Sequence, residues 1–307
     1  MSDPSSPPLV SVITPSYMAK DYLRRSLLSI EAHLRVPHEV IVIEDGGADG
    51  TLEMLRAEFP QVHLIENGRN LGVIDTRIKG IEVARGELLF FVDSDVELLP
   101  GVFEALHAEL LSHATIAYVT CNKRSVDGSH QRSAFPWPTL WGNMRAMVPF
   151  LRRADVRASL DAHQRPSEPG WISVGHSLMR TRAYRECGGF IRDVFFFGED
   201  VDICAKLRDK GWRVRFIPFM GFVHHGSISQ TSDPERFRLK SSDQWQVKSC
   251  WLLGGRYPGL DVPWLGRPFA PCQGGLPPIG MHRFRLVRRR RWNRRRPNPV
   301  QRMSRFR

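Results

Sequence analysis

Leu88-Leu-Phe-Phe-Val92 runs directly into Asp93-Ser94-Asp95, so five apolar residues deliver two carboxylates one residue apart. The run is too short for a typical helix and too evenly apolar for a strand with one wet face. It reads as a buried strand in a sheet covered on both sides. Acids that close raise each other's pKa. A divalent cation held against a diphosphate relieves the conflict, because hard cations take carboxylate and phosphate oxygens. A strand end turning into solvent is the plain alternative, since Asp and Ser favour turns.

Outward from this point the pattern repeats. Leu9–Thr14, Val40–Ile43, Val62–Ile65 and Ile116–Val119 are further apolar runs. Helical spacing lies between them, as in Leu23, Leu27, Ile30 and Leu34, and again over Gly101–Leu111. Asp49 is placed to cap a helix starting near Thr51. Alternating strands and helices predict an α/β fold with a Rossmann-like, mostly parallel, doubly wound sheet flanked by helices. Ligands bind such sheets at the carboxyl ends of the strands. Thr14-Pro15, Asp45 and Asp93-Ser94-Asp95 all fall there.

Lys123–Pro169 is irregular and rich in Pro, Trp and charge, a length that a compact domain keeps for function or leaves disordered. Trp171–Met179 then reads as one strand, Arg182–Cys187 and Glu199–Lys210 as helices, and Arg213–Ile217 and Phe222–His224 as strands. The pattern weakens beyond Arg236, and Pro258–Pro278 is a Pro/Gly-rich loop.

The 307 residues carry a net charge of +12, which invites a nucleic-acid reading. Its distribution argues otherwise. Twelve arginines lie between Arg283 and Arg307, and setting them aside leaves 32 basic and 32 acidic residues. The body is neutral and the tail is basic. Beside anionic lipid such a tail contributes ~1 kcal/mol per basic residue, with Leu286, Trp292 and Phe306 able to sit at the interface. A solvated, disordered end is the plain reading of the same tail. No stacking platform accompanies the charge, so nucleic acid is not expected as a partner. No apolar stretch approaches the roughly 20 residues a membrane span needs. Residues 1–8 read as a disordered leader without a signal peptide. Five cysteines without a C-x-x-C pair argue against a disulfide framework and a zinc site, and fit a reducing cytoplasm.

Two further clusters carry chemistry. Gly198-Glu199-Asp200-Val201-Asp202 puts three acids in the first turn of a helix, where the macrodipole alone favours them. The preceding Phe195-Phe196-Phe197 would partly desolvate one of them and raise its pKa toward that of a general base. His224-His225 follows an apolar strand. Alternation sends the two rings to opposite faces, so at most one reaches a given site. Metal ligation and an ordinary hydrogen-bonded histidine both stay open for it.

These pieces occur in a fixed order. Val10-Ser-Val-Ile-Thr-Pro-Ser-Tyr17, Val40-Ile-Val-Ile-Glu-Asp-Gly-Gly-Ala-Asp-Gly-Thr51, Asn70-Leu-Gly-Val73 and Ala84-Arg-Gly-Glu-Leu88 precede Asp93-Ser94-Asp95. Gly188-Gly-Phe190, Gly198-Glu-Asp-Val-Asp-Ile-Cys204, Gly211-Trp-Arg-Val214 and Val223-His-His-Gly226 follow it. The set resembles the family 2 glycosyltransferases of the GT-A fold over Leu9–Ser229, apart from Lys123–Pro169. The resemblance implies inverting transfer of a sugar from a UDP-, GDP- or dTDP-sugar to a glycan or lipid-linked acceptor hydroxyl, with Mn²⁺ or Mg²⁺. It implies that Thr14, Pro15 and Tyr17 line the nucleotide, that Asp45 meets the base, and that Arg77 lies near the nucleotide. Asp93 and Ser94 would lie by the ribose and diphosphate, Asp95 and His224 at the metal, and Asp200 would be the base. Inversion needs one base opposite the leaving group, and no covalent intermediate.

Met18 stands where the family usually has Asn, Glu44 for Asp, Gly47 for Ser and Ile78 for Asn, all in the nucleotide half. No Gln-x-x-Arg-Trp motif is present and there are no membrane spans, which argues against a processive synthase. The expected organisation is a nucleotide-sugar half at 9–121, an acceptor and catalytic half at 122–235, an extension at 236–282 and the Arg-rich tail at 283–307. The enzyme would be cytoplasmic, with the tail on the inner membrane face, and would build cell-surface polysaccharide or glycolipid. A nucleotidyltransferase is the alternative enzyme, although Thr14-Pro15-Ser16-Tyr17 is no Gly-rich phosphate loop. A non-enzymatic membrane- or nucleic-acid-binding protein on a degenerate fold is the third reading.

Overall fold

The apolar runs form strands, and their direction sets the architecture. The structure is a computed structural model that describes residues 9–137, 163–192 and 198–226. The first half contains β1 (Val10–Ser16), α1 (Lys20–His33), β2 (His38–Glu44), α2 (Thr51–Glu58), β3 (His63–Glu66), α3 (Val73–Val83), β4 (Leu88–Val92), β5 (Val96–Leu98) and α4 (Val102–Ser112). The second contains β6 (Ile116–Arg124), β7 (His130–Gln131), β8 (Ala134–Phe135), β9 (Trp171–Ile172), β10 (His176–Arg180), α5 (Thr181–Glu186), α6 (Glu199–Asp209) and β11 (Arg213–His224).

Among the described residues the main sheet has nine strands in the order β3-β2-β1-β4-β10-β6-β11-β5, with β7 added beside β6. β3, β2, β1 and β4 are parallel throughout. The other half is mixed. β10 runs antiparallel to both β4 and β6, and β5 antiparallel to β11, while β6 and β11 are parallel. The expected doubly wound sheet is thus a mostly parallel sheet with three reversed strands, β5, β7 and β10.

Alternate residues along the strands serve two cores. Ile13, Leu89 and Phe91 pack with Ile74 and Ile78 of α3 and Ile203 and Leu207 of α6. Val12, Phe90 and Val92 pack with Leu23 and Leu27 of α1 and Phe103 and Leu106 of α4. Burial on both faces is why β1 and β4 carry no alternation in the sequence.

Three expectations are corrected. Trp171–Met179 is two strands: β9 pairs with β8 in a small separate sheet, and β10 joins the main one. Arg213–His224 is one strand, with register shifts near Met220 where two strands were expected. Gly50, in the left-handed region, occupies the N-cap of α2, while Asp49 one residue earlier accepts the Thr51 N–H at 3.2 Å and the Lys20 N–H at 2.9 Å. Helix α6 begins after Gly198, whose φ of +107° permits the sharp entry. Residues 1–8, 138–162, 193–197 and 227–307 lie outside the described residues. With them lie the expected leader, most of the irregular segment, Phe195-Phe196-Phe197, the extension and the Arg-rich tail. No helix among the described residues is long and apolar enough to cross a membrane.

Candidate active site

Strand direction gathers the polar clusters on one edge of the sheet. β1, β2, β4, β6 and β11 end there with Thr14-to-Tyr17, Asp45, Asp93, Lys123 and His224, and the reversed β10 begins there with His176. Asp93, Ser94 and Asp95 form a tight turn, closed by Val96 N–H donating to the Asp93 carbonyl at 3.0 Å. The turn reading and the clustered-acid reading of this triplet therefore describe one object.

Arg77, in α3, joins the two acidic motifs. Its side chain is only 4% exposed, and its two terminal nitrogens donate to Asp93 Oδ1 at 2.6 Å and Glu199 Oε1 at 2.9 Å. Burial alone would lower the guanidinium pKa, but Asp93 and Glu199 outweigh it and raise it. Arg77 is enclosed, with its two terminal nitrogens engaged and its Nε buried without a partner among the described residues, and it reaches the cleft through Asp93. The crowding between Asp93 and Asp95 is thus relieved from inside the protein on the Asp93 side.

Asp200 stands next to Glu199 but away from Arg77's grip. Its Oδ1 accepts the Val174 N–H at 2.8 Å, and part of its surface stays open to solvent. Burial, and then the neighbouring Glu199 charge, push its pKa up to about 8 against the opposing pull of Val174 and Arg77. Glu199 is also raised by burial, with Arg77 as the chief opposing influence. The proton of this coupled pair belongs on Asp200, because Glu199 is the one paired with a cation. The expected desolvation of one acid is present. The Phe195-Phe196-Phe197 lead-in expected to cause it lies outside the described residues.

Asp95 faces His224, with Oδ2 3.3 Å from the ring Nε2. The other ring nitrogen, Nδ1, lies 2.5 Å from Gln131 Oε1, while the Gln131 amide nitrogen donates to Ser125 Oγ at 2.6 Å. The Gln131 oxygen can accept only from an Nδ1–H, which fixes the ring's orientation and turns Nε2 toward Asp95. A carboxylate oxygen and a ring lone pair at this separation suit a hard cation that completes its shell with phosphate and water. No cluster of three or more His, Cys, Asp or Glu side chains surrounds one point among the described residues. His225 turns the other way, to Glu97 at 2.5 Å and edge-on to Tyr22.

Asp45 is committed to its own chain. Its oxygens accept Asn67 Nδ2 at 2.9 Å, Leu71 N–H at 2.8 Å and Gly72 N–H at 3.0 Å. That uses three of roughly four acceptor positions and fastens the loop before α3 to the end of β2. Thr14 and Pro15 are buried at the end of β1, and Tyr17 and Ser94 are half-buried beside the cleft.

Three of the departures from the family pattern interlock. Glu44 folds back to accept Gly46 and Gly47 N–H at 2.9 and 2.6 Å. A Cβ on residue 47 would come within 2.8 Å of Glu44 Oε1 and 3.1 Å of Met18 N. Met18 has φ +51°, a left-handed conformation that Asn adopts readily, and its sulfur accepts Ala48 N–H at 3.3 Å. The longer acid thus needs the glycine.

Several residues at this edge escaped the sequence reading. Gln131 gave no signal, and the backbone contacts of Val174 and Gly175 cannot be seen in a sequence. Lys123 did leave one, as a charge near the end of a strand that is otherwise buried.

A mixed sheet covered by helices, with two acidic motifs at its carboxyl edge, defines a GT-A type nucleotide-sugar transferase fold. The chain matches the Glycosyl transferase family 2 profile over residues 11–187 and belongs to that family. It is 28% identical over 278 residues to the N-acetylglucosaminyl-diphospho-decaprenol L-rhamnosyltransferase of Mycobacterium tuberculosis, covering 80% of this chain and 90% of that one. Among solved structures it resembles the mannosyltransferase PcManGT of Pyrobaculum calidifontis in complex with GDP-Man and Mn²⁺. The TM-score is 0.54 at 19% identity, covering 80% of this chain and 64% of that one. GalNAc-T7 with UDP, GalNAc and Mn²⁺ matches at TM-score 0.57 and 17% identity, covering 82% and 51%.

Proposed function

We propose that this glycosyltransferase is inverting, non-processive and metal-dependent, moving a sugar from a nucleoside-diphosphate sugar to an acceptor hydroxyl. The observation that carries the reading is the asymmetry at the start of α6: Glu199 is held by Arg77, while Asp200 is raised to about 8 and open to solvent. A carboxylate in that range is matched to taking a proton from a sugar hydroxyl near neutral pH. As the acceptor oxygen bonds to the anomeric carbon, its proton passes to Asp200. The bond to the leaving diphosphate breaks, and its electron pair stays on the diphosphate oxygen.

Asp95 Oδ2 and His224 Nε2 would hold Mn²⁺ or Mg²⁺, whose charge offsets that of the leaving group. Asp93 and Ser94 would orient the ribose and diphosphate, with Arg77 fixing Asp93 from behind. Thr14, Pro15 and Tyr17 would line the nucleotide, and Asp45 would shape the base pocket through the loop it ties. Residues 9–121 then form the donor half and 122–235 the acceptor half. The rhamnosyltransferase relative, named for a lipid-diphosphate acceptor, supports a lipid-linked glycan acceptor and a place in cell-surface polysaccharide or glycolipid synthesis. The Arg-rich tail would meet an anionic cytoplasmic membrane surface. The solved complexes that carry Mn²⁺ with a nucleotide or nucleotide sugar support the choice of cofactor.

The test is a panel of UDP-, GDP- and dTDP-sugars scored for hydrolysis or thermal stabilisation with Mn²⁺, Mg²⁺ or EDTA. Proton NMR of the product's anomeric centre would follow. Metal-dependent turnover with inverted configuration is expected, and a retained configuration would remove Asp200 from the base role.

A further inference from the structure

Three basic side chains stand side by side at the catalytic edge, and the mechanism above uses only one of them. His176 opens β10, Lys123 is the penultimate residue of β6 and His224 closes β11, and these three strands are neighbours in the sheet. Lys123 is in register with Phe222, and the Ser177–Thr120 pair sets His176 beside Cys121. Alternation puts Lys123 on the face of Cys121, His224 on that of Phe222 and His176 on that of Leu178. Those three apolar residues share one core cluster. Lys123 therefore stands between the two histidines as a diagonal neighbour of each. The His176 ring lies edge-on to Phe222 at 5.6 Å, which fits the same placement.

Lys123 is 8% exposed and His176 is 2% exposed. Burial lowers the Lys123 pKa, opposed by Asp93, Asp95 and Asp200, which act through space and not by hydrogen bonds. His176 Nε2 is enclosed and meets no hydrogen-bond partner among the described residues. Burial and then the Lys123 charge hold that ring neutral. A buried ammonium beside a neutral imidazole with an unused ring nitrogen offers charge and hydrogen bonds to an anion. Asp95 and His224 lie directly alongside.

We propose that Lys123, with His176 beside it, binds the diphosphate of the donor and stabilises the negative charge that grows there as the glycosidic bond breaks. It is a protein-borne cation acting in addition to the metal. The proposal rests on the glycosyltransferase reading of the site. A lysine that only balanced three acids would matter equally for every nucleotide, whereas one touching the diphosphate distinguishes diphosphates from monophosphates.

The experiment is calorimetric titration of the full chain with UDP, GDP and dTDP and with the matching monophosphates, in EDTA and in Mn²⁺. Wild type is expected to prefer the diphosphate by about fivefold or more in EDTA. Lys123→Gln should weaken diphosphate binding by about tenfold, the size of one hydrogen bond to a charged group, and leave the monophosphate within about twofold. Lys123→Arg should retain most of the preference. Equal losses for both nucleotides, or an undiminished preference in Lys123→Gln, overturn the proposal. So does a wild type without preference in EDTA, a result that needs no variant to fold. Failure of wild type to bind any nucleoside diphosphate, with or without Mn²⁺, overturns the reading of the site itself.

Discussion

Asp93-Ser94-Asp95 closes a strand on the donor side of the cleft, and Glu199-Asp200 opens a helix on the other side. Both motifs present two acids, and both give one of them to the same arginine. Arg77 takes Asp93 and Glu199 and leaves Asp95 and Asp200 outside its grip. The two that remain then differ. Asp95 looks onto a histidine nitrogen whose ring is oriented by Gln131. Asp200 sits against an ionised neighbour and a single backbone N–H, and it favours its proton. On the proposed reading, these identical side chains serve different work: one takes a cation, the other a proton.

The sharpest way to break this comparison is to neutralise each acid of α6 separately. Asp200→Asn should lower kcat by about 10²- to 10⁴-fold, the usual worth of a general base, with donor binding nearly unchanged in calorimetry. Glu199→Gln should instead destabilise the fold in urea titrations while leaving measurable turnover. Equal kcat losses in both would erase the distinction between them. On the donor side, Gln131→Leu frees the His224 ring and should weaken Mn²⁺-dependent nucleotide binding by about 10- to 100-fold without changing binding in EDTA.

Arg77→Met removes the shared partner and leaves two carboxylates uncompensated. A loss of about 3–5 kcal/mol in unfolding free energy is expected, as when one member of a buried pair is deleted. A loss below ~1 kcal/mol, typical of surface pairs, would show that the two acids are independent. The pH dependence is subtler. The folded-state pKa of Asp200 lies above its unfolded value, so the stability it contributes is lost as pH rises through about 8. The ionisation that favours catalysis therefore weakens the fold. Turnover should climb toward pH 8 while wild-type Tm falls relative to that of Asp200→Asn over the same interval. Parallel Tm curves would place the titration elsewhere.

The sheet's parallel half could be read from residues 9–92 because its strands appear as apolar runs, and the central β1 and β4 are buried on both faces. The mixed half resisted the same reading. A run such as Trp171–Met179 carries no mark of direction, nor of the break at Ser173–Gly175 where the chain leaves one sheet for another. The acidic pairs were equally legible as pairs. Their division of labour was not, because Arg77 lies 16 residues from Asp93 and 122 from Glu199. The interlock of Met18, Glu44 and Gly47 appeared only as three separate oddities. Their common cause is a carboxylate one methylene longer than usual, which bends back to meet two amides.

The reversed strand β10 is entered through Val174, Gly175 and His176. Val174 N–H holds Asp200 at 2.8 Å, and the Gly175 carbonyl accepts Asp93 N–H at 2.9 Å. A side chain on Gly175 would overlap the Asp93 carboxylate. Three consecutive residues thus meet Asp200, meet Asp93 and join the basic row in turn. On the proposed reading they work as a gauge block, setting the span between the atom that attacks and the group that departs. Val174 is itself buried in the core, so changes of side chain there should disturb the block, and a single inserted residue should move Asp200 and Asp93 out of step with each other.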